Sequence, residues 1–489
     1  MSNSLFITKP VQAAPHVDAG EPVHGSLQGE VTLKRTLTAR QLVALGVGAV
    51  IGAGIFVLSG QAAAAHAGPA IMLSFVIAGI ACAFAGLCYA EFAAMLPVSG
   101  SAYSYSYATL GEIVAWFIGW NLVLEYLFAA STVAVGWSGY LNSLLHDFGL
   151  ALPNSLAAAP FDVVNGKLTP TGGYVNLPAV AIIGAISALC YVGIRQSAIV
   201  NSVIVAIKLI VIFMFVAFGA KYVDPANWHP FIPENQGPGK FGMEGVVRGA
   251  AIVFFAYIGF DAVSTAAGEA KNPQRDMPIG ILGSLFFCTI IYIIVAAVLT
   301  GMLPYTELGT PKPVATALAA YPSLLWLKTI VSIGAIAGLS SVILVMLMSQ
   351  PRIFYSMAQD GLLPKMFAKV HPTFQTPHRG TIVVGVVAAV LAGLLPIGFL
   401  GDLVSMGTLL AFATVSAGVL ILRRTRPDLP RPFRVRAPWL VCPLGVIFCL
   451  YLFWQPFAEN WHVMISWTVL GFLIYFGYGF RHSRLRKGA

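Results

Sequence analysis

The stretch Gly46-Val47-Gly48-Ala49-Val50-Ile51-Gly52-Ala53-Gly54-Ile55-Phe56 lies in the middle of the first long apolar segment, residues 41–66. It holds four glycines within nine positions, and each glycine disfavours a helix interior by roughly 1 kcal/mol relative to alanine. A helix that carries this run is therefore predicted to be interrupted at Gly52-Ala53-Gly54. If it unwinds there, the backbone N–H groups that begin its second half can hold a carboxylate, and the freed carbonyls of its first half can accept hydrogen bonds from an amine. The alternative is that these small residues only let neighbouring helices pack closely.

The composition places the chain in a lipid bilayer. Of its 489 residues 58% are hydrophobic and 10% are charged, and its mean hydropathy is +0.81, whereas soluble domains carry about 25% charged residues. A spanning helix needs about 20 largely apolar residues. Twelve segments of the sequence meet this description, and they are numbered here as spans 1 to 12: 41–66, 69–96, 112–143, 177–195, 198–220, 243–268, 278–302, 324–350, 380–398, 402–422, 438–455 and 462–480.

The distribution of lysine and arginine predicts the orientation. With both termini inside, 21 of these residues lie on the inner side and 6 on the outer side, as the excess of positive charge in cytoplasmic loops requires. The predicted organisation is a cytoplasmic tail (1–40), a first set of five spans (41–220), a second set of five (243–422), two additional spans (438–480) and a basic cytoplasmic tail (481–489). The chain lacks Asn-x-Ser/Thr sequons, which favours a bacterial inner-membrane protein.

Span 6 contains a second predicted interruption, Ala256-Tyr257-Ile258-Gly259-Phe260-Asp261. Spans 1 and 6 are five apart and so cross the membrane in opposite directions. Matching interruptions in two inverted halves are the best sequence indication of a transporter site. Phe255 is a candidate aromatic lid, and Asp261 is an intramembrane acid of the kind that usually serves function. Its alternative role is to bind the unwound backbone N–H groups.

Two further spans carry polar residues at membrane depth. Asn121 and Glu125 in span 3 are four residues apart and so share one helix face; Glu125 can attract a cation or take a proton, or form a structural salt bridge. Lys208 in span 5 lies about ten residues, or ~15 Å, from either helix end, too deep to reach the interface easily. A lysine that gains and loses a proton there can couple transport to a proton gradient. The alternative is a fixed ion pair with Asp261 or Glu125.

Three more residues are candidates for gating or for structural roles. Glu91 ends span 2 near the predicted cytoplasmic interface. The hydroxyls of Ser340 and Ser341 in span 8 can face span 1 or bond back to their own helix.

Other classes of protein find no support in the sequence. The six cysteines lie inside apolar segments without a CxxC spacing, which is typical of small core residues. The histidines show no metal-binding pattern, and neither a catalytic triad nor a phosphate-binding loop occurs. No basic run interleaved with aromatic residues indicates nucleic-acid binding. We therefore predict no enzyme, no cofactor and no metal.

Several motifs together resemble the amino acid/polyamine/organocation permeases, and specifically their cationic amino acid transporter branch. The resemblance runs in order from about residue 34 to about residue 440. The motifs are Gly52-Ala53-Gly54-Ile55-Phe56, Glu91-Phe92 through Pro97, Ser99-Gly100-Ser101-Ala102-Tyr103-Ser104-Tyr105, Gly119-Trp120-Asn121-Leu122, Ile258-Gly259-Phe260-Asp261, Glu269-Ala270-Lys271-Asn272-Pro273-Gln274-Arg275, Arg352-Ile353-Phe354-Tyr355 and Asp360-Gly361-Leu362-Leu363-Pro364.

The resemblance implies an all-α integral membrane protein with the LeuT-type fold, in which five spans and five inverted spans are followed by two more. It implies that the substrate carboxylate meets backbone at Ala53 and Gly54, beside Ile55. The amine is expected at carbonyls of Val50, Phe255, Ala256 and Ile258, with Phe255 closing over the substrate and Gly52 permitting the break. Lys208 resembles the family lysine that stands in for a sodium ion between spans 1, 5 and 8 of sodium-driven relatives.

This chain departs from some bacterial members at two positions. It has Ala53 where they have threonine and Asn121 where they have a carboxylate. Binding of the substrate carboxylate is therefore expected to depend on backbone, and neutral amino acids are expected as much as cationic ones.

The predicted function is uptake of L-amino acids by alternating access, coupled to protons. The alternatives are an amino acid exchanger that needs no proton and a non-transporting amino acid receptor. A receptor would be expected to carry a large soluble output domain, and the short tails here argue against it. The expected partners are the substrate, protons and the lipid bilayer, with no nucleic acid.

Overall fold

The computed structural model describes residues 5–9, 37–96, 100–150, 152–164, 167–310 and 312–488. Most of the predicted N-terminal tail, including residues 10–36, lies outside this part of the chain. The described residues form mainly α-helices, as predicted. The helices of the first half are Ala39–Val50, Ser59–Ala62, Ile71–Met95, Ser101–Thr109, Glu112–Val123, Ala129–Asp147, Asn154–Ala157, Leu177–Val192 and Ile194–Gly219. Those of the second half are Gly242–Val253, Ala262–Thr265, Pro273–Met302, Pro313–Ala319, Leu325–Gln359, His378–Leu394, Ile397–Thr425, Pro438–Ile474, Phe480–His482 and Arg484–Gly488.

Shorter turns of π- or 3₁₀-helix connect or interrupt these helices. The π-helical turns are Gly54–Leu58, Ala63–Ala67, Leu124–Phe128 and Tyr475–Gly479. The 3₁₀ turns are Gly68–Ala70, Ala220–Tyr222, Pro225–Trp228, Phe254–Tyr257, Ala267–Glu269, Tyr305–Glu307, Pro322–Leu324 and Lys365–Ala368. The strands Phe161–Val164 and Lys167–Pro170 pair antiparallel in the loop after span 3. This hairpin was not predicted, because it lies in a polar loop and contributes no apolar segment.

Eight helical stretches of the described chain are long and apolar enough to cross a membrane. They are Ala39–Met95, Glu112–Asp147, Val200–Tyr222, Gly242–Thr265, Pro273–Met302, Pro322–Gln359, Ile397–Thr425 and Pro456–Lys487. Leu177–Val192, His378–Leu394 and Pro438–Trp454 are shorter apolar helices. The chain is therefore a multi-pass helical membrane protein.

The most buried spans lie at the centre of the molecule. In the most apolar part of span 6, 83% of the residues are buried, against 22% in the last span. Span 1 packs against spans 5, 7 and 8, and span 3 packs against spans 8 and 10. Spans 9 and 4 contact each other, and span 10 packs along the long helix Pro438–Ile474. A kink at Asn460 (φ −122°, ψ 24°) divides that helix between the predicted spans 11 and 12.

Candidate functional site

Span 1 is interrupted close to the predicted position. Its first helix ends at Val50, and Ile51 has an extended backbone (φ −76°, ψ 102°). Helical bonding resumes from the Gly52 carbonyl, which accepts bonds from the N–H groups of Ile55 (3.2 Å) and Phe56 (3.3 Å). In the described part of the chain, the N–H groups of Gly52 and Ala53 donate no hydrogen bond. The break therefore leaves backbone donors available inside the bundle, at the place where a carboxylate is expected.

Span 6 is interrupted over a longer stretch. Its first helix ends at Val253 and tightens into the 3₁₀ turn Phe254–Tyr257. Gly259 then adopts φ +114°, and helix resumes only at Ala262. A side chain at position 259 would meet Ala49 of span 1, because an added Cβ would lie 2.8 Å from the Ala49 Cβ. Glycine is therefore required here both by conformation and by space.

The two interruptions touch each other. A Cβ added to Gly54 would lie 2.2 Å from the Cβ of Ala256, so the backbone of span 1 comes close to span 6 only because residue 54 is a glycine. Phe255 is 7% exposed and its carbonyl accepts a bond from the N–H of Ile258 (3.2 Å). Ile55 lies in the π-helical turn after the first break and is buried. The predicted substrate-binding residues of spans 1 and 6 thus lie together.

Tyr292 of span 7 joins the two interruptions, a role that was not predicted from the sequence. Its hydroxyl lies 2.6 Å from the Val50 carbonyl and 2.8 Å from the Ala256 carbonyl. These are two of the four carbonyls at which the substrate amine is expected. A carbonyl oxygen has two lone pairs, so both can still accept a second donor. Tyr292 therefore holds the two breaks in register with each other.

Lys208 binds span 1 directly. Its ammonium donates to the carbonyls of Gly48 (2.9 Å) and Ile51 (2.8 Å) and to the hydroxyl of Ser341 in span 8 (2.9 Å). An ammonium has three N–H donors, so these partners use them all. The alternative of an ion pair with Asp261 or Glu125 is wrong, since neither acid pairs with Lys208 in the described part of the chain.

The two serines of span 8 differ in their contacts. Ser341 lies against span 1 and is 3.0 Å from the Gly48 carbonyl, while it also bonds back to Gly338. Ser340 bonds back to Ile336 (2.8 Å) and accepts a bond from Trp137 of span 3 (2.9 Å). Only Ser341 therefore belongs to the contacts around the first break.

Two buried acids face each other beside the span 6 interruption. Asp261 accepts a hydrogen bond from the Tyr126 hydroxyl, and the Glu125 carboxyl lies next to it. Thr408 also lies beside Glu125, but its hydroxyl donates to the Val404 carbonyl, and in the described chain neither Glu125 oxygen and only one Asp261 oxygen accepts a hydrogen bond. Two carboxylates cannot bond to each other, whereas a carboxylate and a carboxylic acid can. The pair is therefore a place where a buried proton or an amine would be bound.

Glu125 and Tyr126 lie in the π-helical turn Leu124–Phe128. Such turns inside helices occur frequently at functional sites. One turn earlier, the Asn121 amide donates to the Phe117 carbonyl (2.8 Å), while no residue that the structure describes donates to its buried oxygen. Neither the π-helical turn nor the bond from Tyr126 was predicted, because nothing in an apolar helical pattern marks one extra residue in a turn.

Glu91 lies away from the two interruptions. Its carboxylate pairs with the Arg423 guanidinium (2.9 and 2.5 Å) and accepts the N–H of Val435 (2.8 Å). It thus joins span 2 to the loop after span 10.

Another buried ion pair joins the end of span 6 to span 8. Arg352 lies 2.9 Å from Glu269, and both side chains are almost fully buried. Burial raises the pKa of the Glu269 carboxyl, and the Arg352 guanidinium opposes this effect.

Comparison with known proteins shows which family and which proteins this sequence is similar to. The sequence profile of a family described as amino acid permease matches residues 37–477. The methylthioribose transporter of Bacillus subtilis is 47% identical over 93% of this chain and 96% of its own length. The branched-chain amino acid permease BcaP of the same organism is 44% identical over 100% of both chains. The vacuolar cationic amino acid transporter 4 of Arabidopsis thaliana is 39% identical over 82% of this chain and 65% of its own.

Proposed function

This chain belongs to the amino acid permease family, and from that premise we propose that it carries L-amino acids across the membrane by alternating access, as a proton-coupled symporter. The observation that supports this most strongly is the contact between two interrupted helices. In the described chain the N–H groups of Gly52 and Ala53 have no partner, and they directly precede Gly54, which contacts Ala256 of the second break. A ligand with one carboxylate and one amine matches both sets of groups.

The proposed fold is the LeuT type, with two inverted sets of five spans. Dividing the 57-residue stretch Ala39–Met95 at Gly68 and including the three shorter apolar helices gives the twelve spans of the sequence prediction. Spans 1 and 6 then occupy corresponding places in the two halves, as the inverted repeat requires. The excess of lysine and arginine supports an inner-membrane protein with both termini in the cytoplasm.

Lys208 is the proposed proton carrier for coupling. When charged, it donates to two carbonyls of span 1 and to Ser341 of span 8. Loss of its proton removes one donor and the attraction of an ammonium for those carbonyls, so the contact between spans 1 and 8 weakens. The pair Glu125 and Asp261 provides a second buried place for a proton, next to the substrate.

The proposed substrates are neutral amino acids with apolar side chains, with cationic amino acids as the alternative within the same function. The names of the relatives include both substrate classes, since one is a branched-chain amino acid permease and another is a cationic amino acid transporter. Ala53 supplies no hydroxyl, so backbone at the first break is left to hold the carboxylate. We assign the acids beside the second break to binding a proton between them, with Tyr126 donating to Asp261, rather than to binding a cationic side chain.

A competition series tests the substrate class. Uptake of labelled leucine would be measured in proteoliposomes that contain the purified protein, at two pH values. Each assay would contain an excess of one unlabelled competitor: arginine, lysine, alanine, leucine, glutamate or methylthioribose. The proposal predicts competition by leucine and alanine. Methylthioribose is included because a relative of 47% identity carries that name. Absence of saturable leucine uptake, or leucine uptake that methylthioribose inhibits and no amino acid other than leucine does, would overturn the proposed substrate class.

A further inference from the structure

The loop between spans 10 and 11 carries the largest cluster of positive charge in the chain. Residues 423–436 contain six arginines and a single acid, Asp428. The loop starts as the helix Ile397–Thr425 ends and stops just before the helix Pro438–Ile474 begins. The first helix is long and apolar enough to cross the membrane, and the second begins with the shorter apolar helix Pro438–Trp454. The loop therefore lies at the membrane surface, on the side that the charge distribution assigns to the cytoplasm.

Two of the six arginines hold the loop against the protein. Arg423 binds the buried Glu91 of span 2 and the Val435 carbonyl (3.0 Å), while Glu91 also accepts the Val435 N–H. Arg431 donates to carbonyls of the loop itself, including Leu429 (2.8 Å) and Arg426 (2.7 Å). These bonds fix the loop backbone from inside, so its conformation does not depend on a ligand.

The remaining four arginines point away from this framework. Their side chains are exposed, and no described residue forms an ion pair or hydrogen bond with them; they are Arg424, Arg426, Arg434 and Arg436. Trp439, which follows directly, is 73% exposed, and exposed tryptophans of this kind lie at the level of lipid head groups. The ordered loop backbone therefore presents these four exposed arginines beside the head-group layer.

We propose that this loop, residues 423–436, is a binding surface for the phosphate groups of anionic phospholipids. A guanidinium binds a phosphate through two parallel hydrogen bonds, and a basic cluster directly after a membrane helix attracts anionic lipid. Because Arg423 and Arg431 already order the loop, binding needs little further ordering, which favours affinity. The same arginines also satisfy the positive-inside rule, but that role alone predicts no preference among lipids once the protein is inserted.

The test measures thermal unfolding of the purified full-length protein in neutral detergent. Phosphatidylglycerol, phosphatidylcholine or inorganic phosphate is titrated, and the concentration giving half of the maximal stabilisation is compared between variants. The loop variant carries glutamine at positions 424, 426, 434 and 436. A matched control removes four other exposed cations that the same charge distribution places on the cytoplasmic side, by Lys271→Gln, Arg275→Gln, Lys365→Gln and Lys369→Gln.

The proposal predicts that the wild type and the control reach half of their maximal stabilisation at the same concentration of phosphatidylglycerol. The loop variant should need a concentration at least about tenfold higher. The wild-type response should also weaken as salt is added. If the loop variant does not purify, two double variants replace it: Arg424→Gln with Arg426→Gln, and Arg434→Gln with Arg436→Gln. Each should show an intermediate loss of sensitivity to phosphatidylglycerol. Equal responses of loop variant and wild type would overturn the proposal, as would equal stabilisation by phosphatidylcholine or by inorganic phosphate.

Discussion

At the scale of single residues, Lys208 connects three spans through three short contacts. Its partners are the carbonyls of Gly48 and Ile51 and the hydroxyl of Ser341. Hydrogen bonds from a charged donor contribute roughly 1.5–3 kcal/mol each, so the charged and neutral forms of this side chain differ strongly in how well they hold span 1.

Replacing Lys208 by methionine is expected to abolish coupling and to leave exchange. Proton-driven accumulation of substrate in proteoliposomes should fall at least about tenfold, since a loss of 1.4 kcal/mol already corresponds to that factor. Exchange of internal for external substrate without a gradient should persist. Ser341→Ala should weaken accumulation in the same direction, while Ser340→Ala, which loses only its bonds to Ile336 and Trp137, should not. Undiminished accumulation by Lys208→Met would show that the proton is carried elsewhere.

Tyr292 gives a test of the amine site. In Tyr292→Phe the carbonyls of Val50 and Ala256 lose the one hydroxyl proton that they share, and a buried group left unpaired costs about 1–3 kcal/mol. The ligand-free protein should therefore unfold at a lower temperature, and saturating substrate should raise that temperature more than in the wild type, because its amine satisfies the same carbonyls. Tyr321→Phe is the control, since its hydroxyl likewise lies near two carbonyls, those of Met302 (2.7 Å) and Tyr222 (3.4 Å), away from the breaks. An unchanged substrate effect in Tyr292→Phe would place the amine elsewhere.

Residues were predictable from the sequence when their chemistry was unusual for a membrane interior. Lys208, Glu125 and Asp261 stand out because a charge in an apolar segment is costly. Tyr126 and Tyr292 did not stand out, because a tyrosine in an apolar helix has the same pattern as any core aromatic. A usable signal does exist, since a buried tyrosine hydroxyl usually has a partner, but the sequence alone does not say which one.

At the scale of secondary-structure elements, the two interruptions carry the site. Glycine content predicted both, because glycine weakens helix and tolerates a positive φ. The sequence did not predict that the two breaks would touch, since the contact of Gly54 with Ala256 depends on how the spans pack. The π-helical turn at Leu124–Phe128 has the same origin in packing and carries no sequence signature.

Gly259→Ala tests whether the second break requires the backbone conformation and the space that glycine provides at residue 259. The φ of +114° is unfavourable for alanine, and its methyl group would meet Ala49. Strain and overpacking together should destabilise the protein by about 2–4 kcal/mol, measured as a lower unfolding temperature in detergent. Gly283→Ala in span 7 is the control, because its methyl group meets only Val43 at 3.5 Å. Equal stability of the two variants would mean that residue 259 adapts freely.

At the scale of the whole molecule, both ends of the chain pack on the same region. Lys9 pairs with Asp360 at the end of span 8 (2.6 Å), and its N–H bonds to Tyr107. Near the other end, Arg486 pairs with the buried Glu112 at the start of span 3 (2.6 Å). The sequence predicted two cytoplasmic tails but not these contacts, because isolated charges in polar segments do not indicate their partners.

Arg486→Gln tests the contribution of this contact to stability. Glu112 would stay buried with its charge unpaired, although the hydroxyls of Tyr107, Tyr475 and Ser483 still donate to it. We expect a loss of about 2–3 kcal/mol, somewhat below the value for a fully buried pair, seen as a lower unfolding temperature. The double variant with Glu112→Gln should recover part of this loss. Arg484→Gln, an exposed neighbour, should have no effect; an equal loss there would point to general disturbance of the C-terminal helix.

The measurement that tests the central claim most directly is uptake of labelled leucine into proteoliposomes of the wild-type protein under an imposed proton gradient, acidic outside. The proposed symport predicts accumulation above the external concentration with the gradient, and only equilibration without it or after a proton ionophore is added. Accumulation that ignores the gradient but requires an internal amino acid would contradict proton coupling and support the exchanger. Absence of any amino acid uptake or exchange, by protein that unfolds cooperatively, would contradict the transport assignment itself.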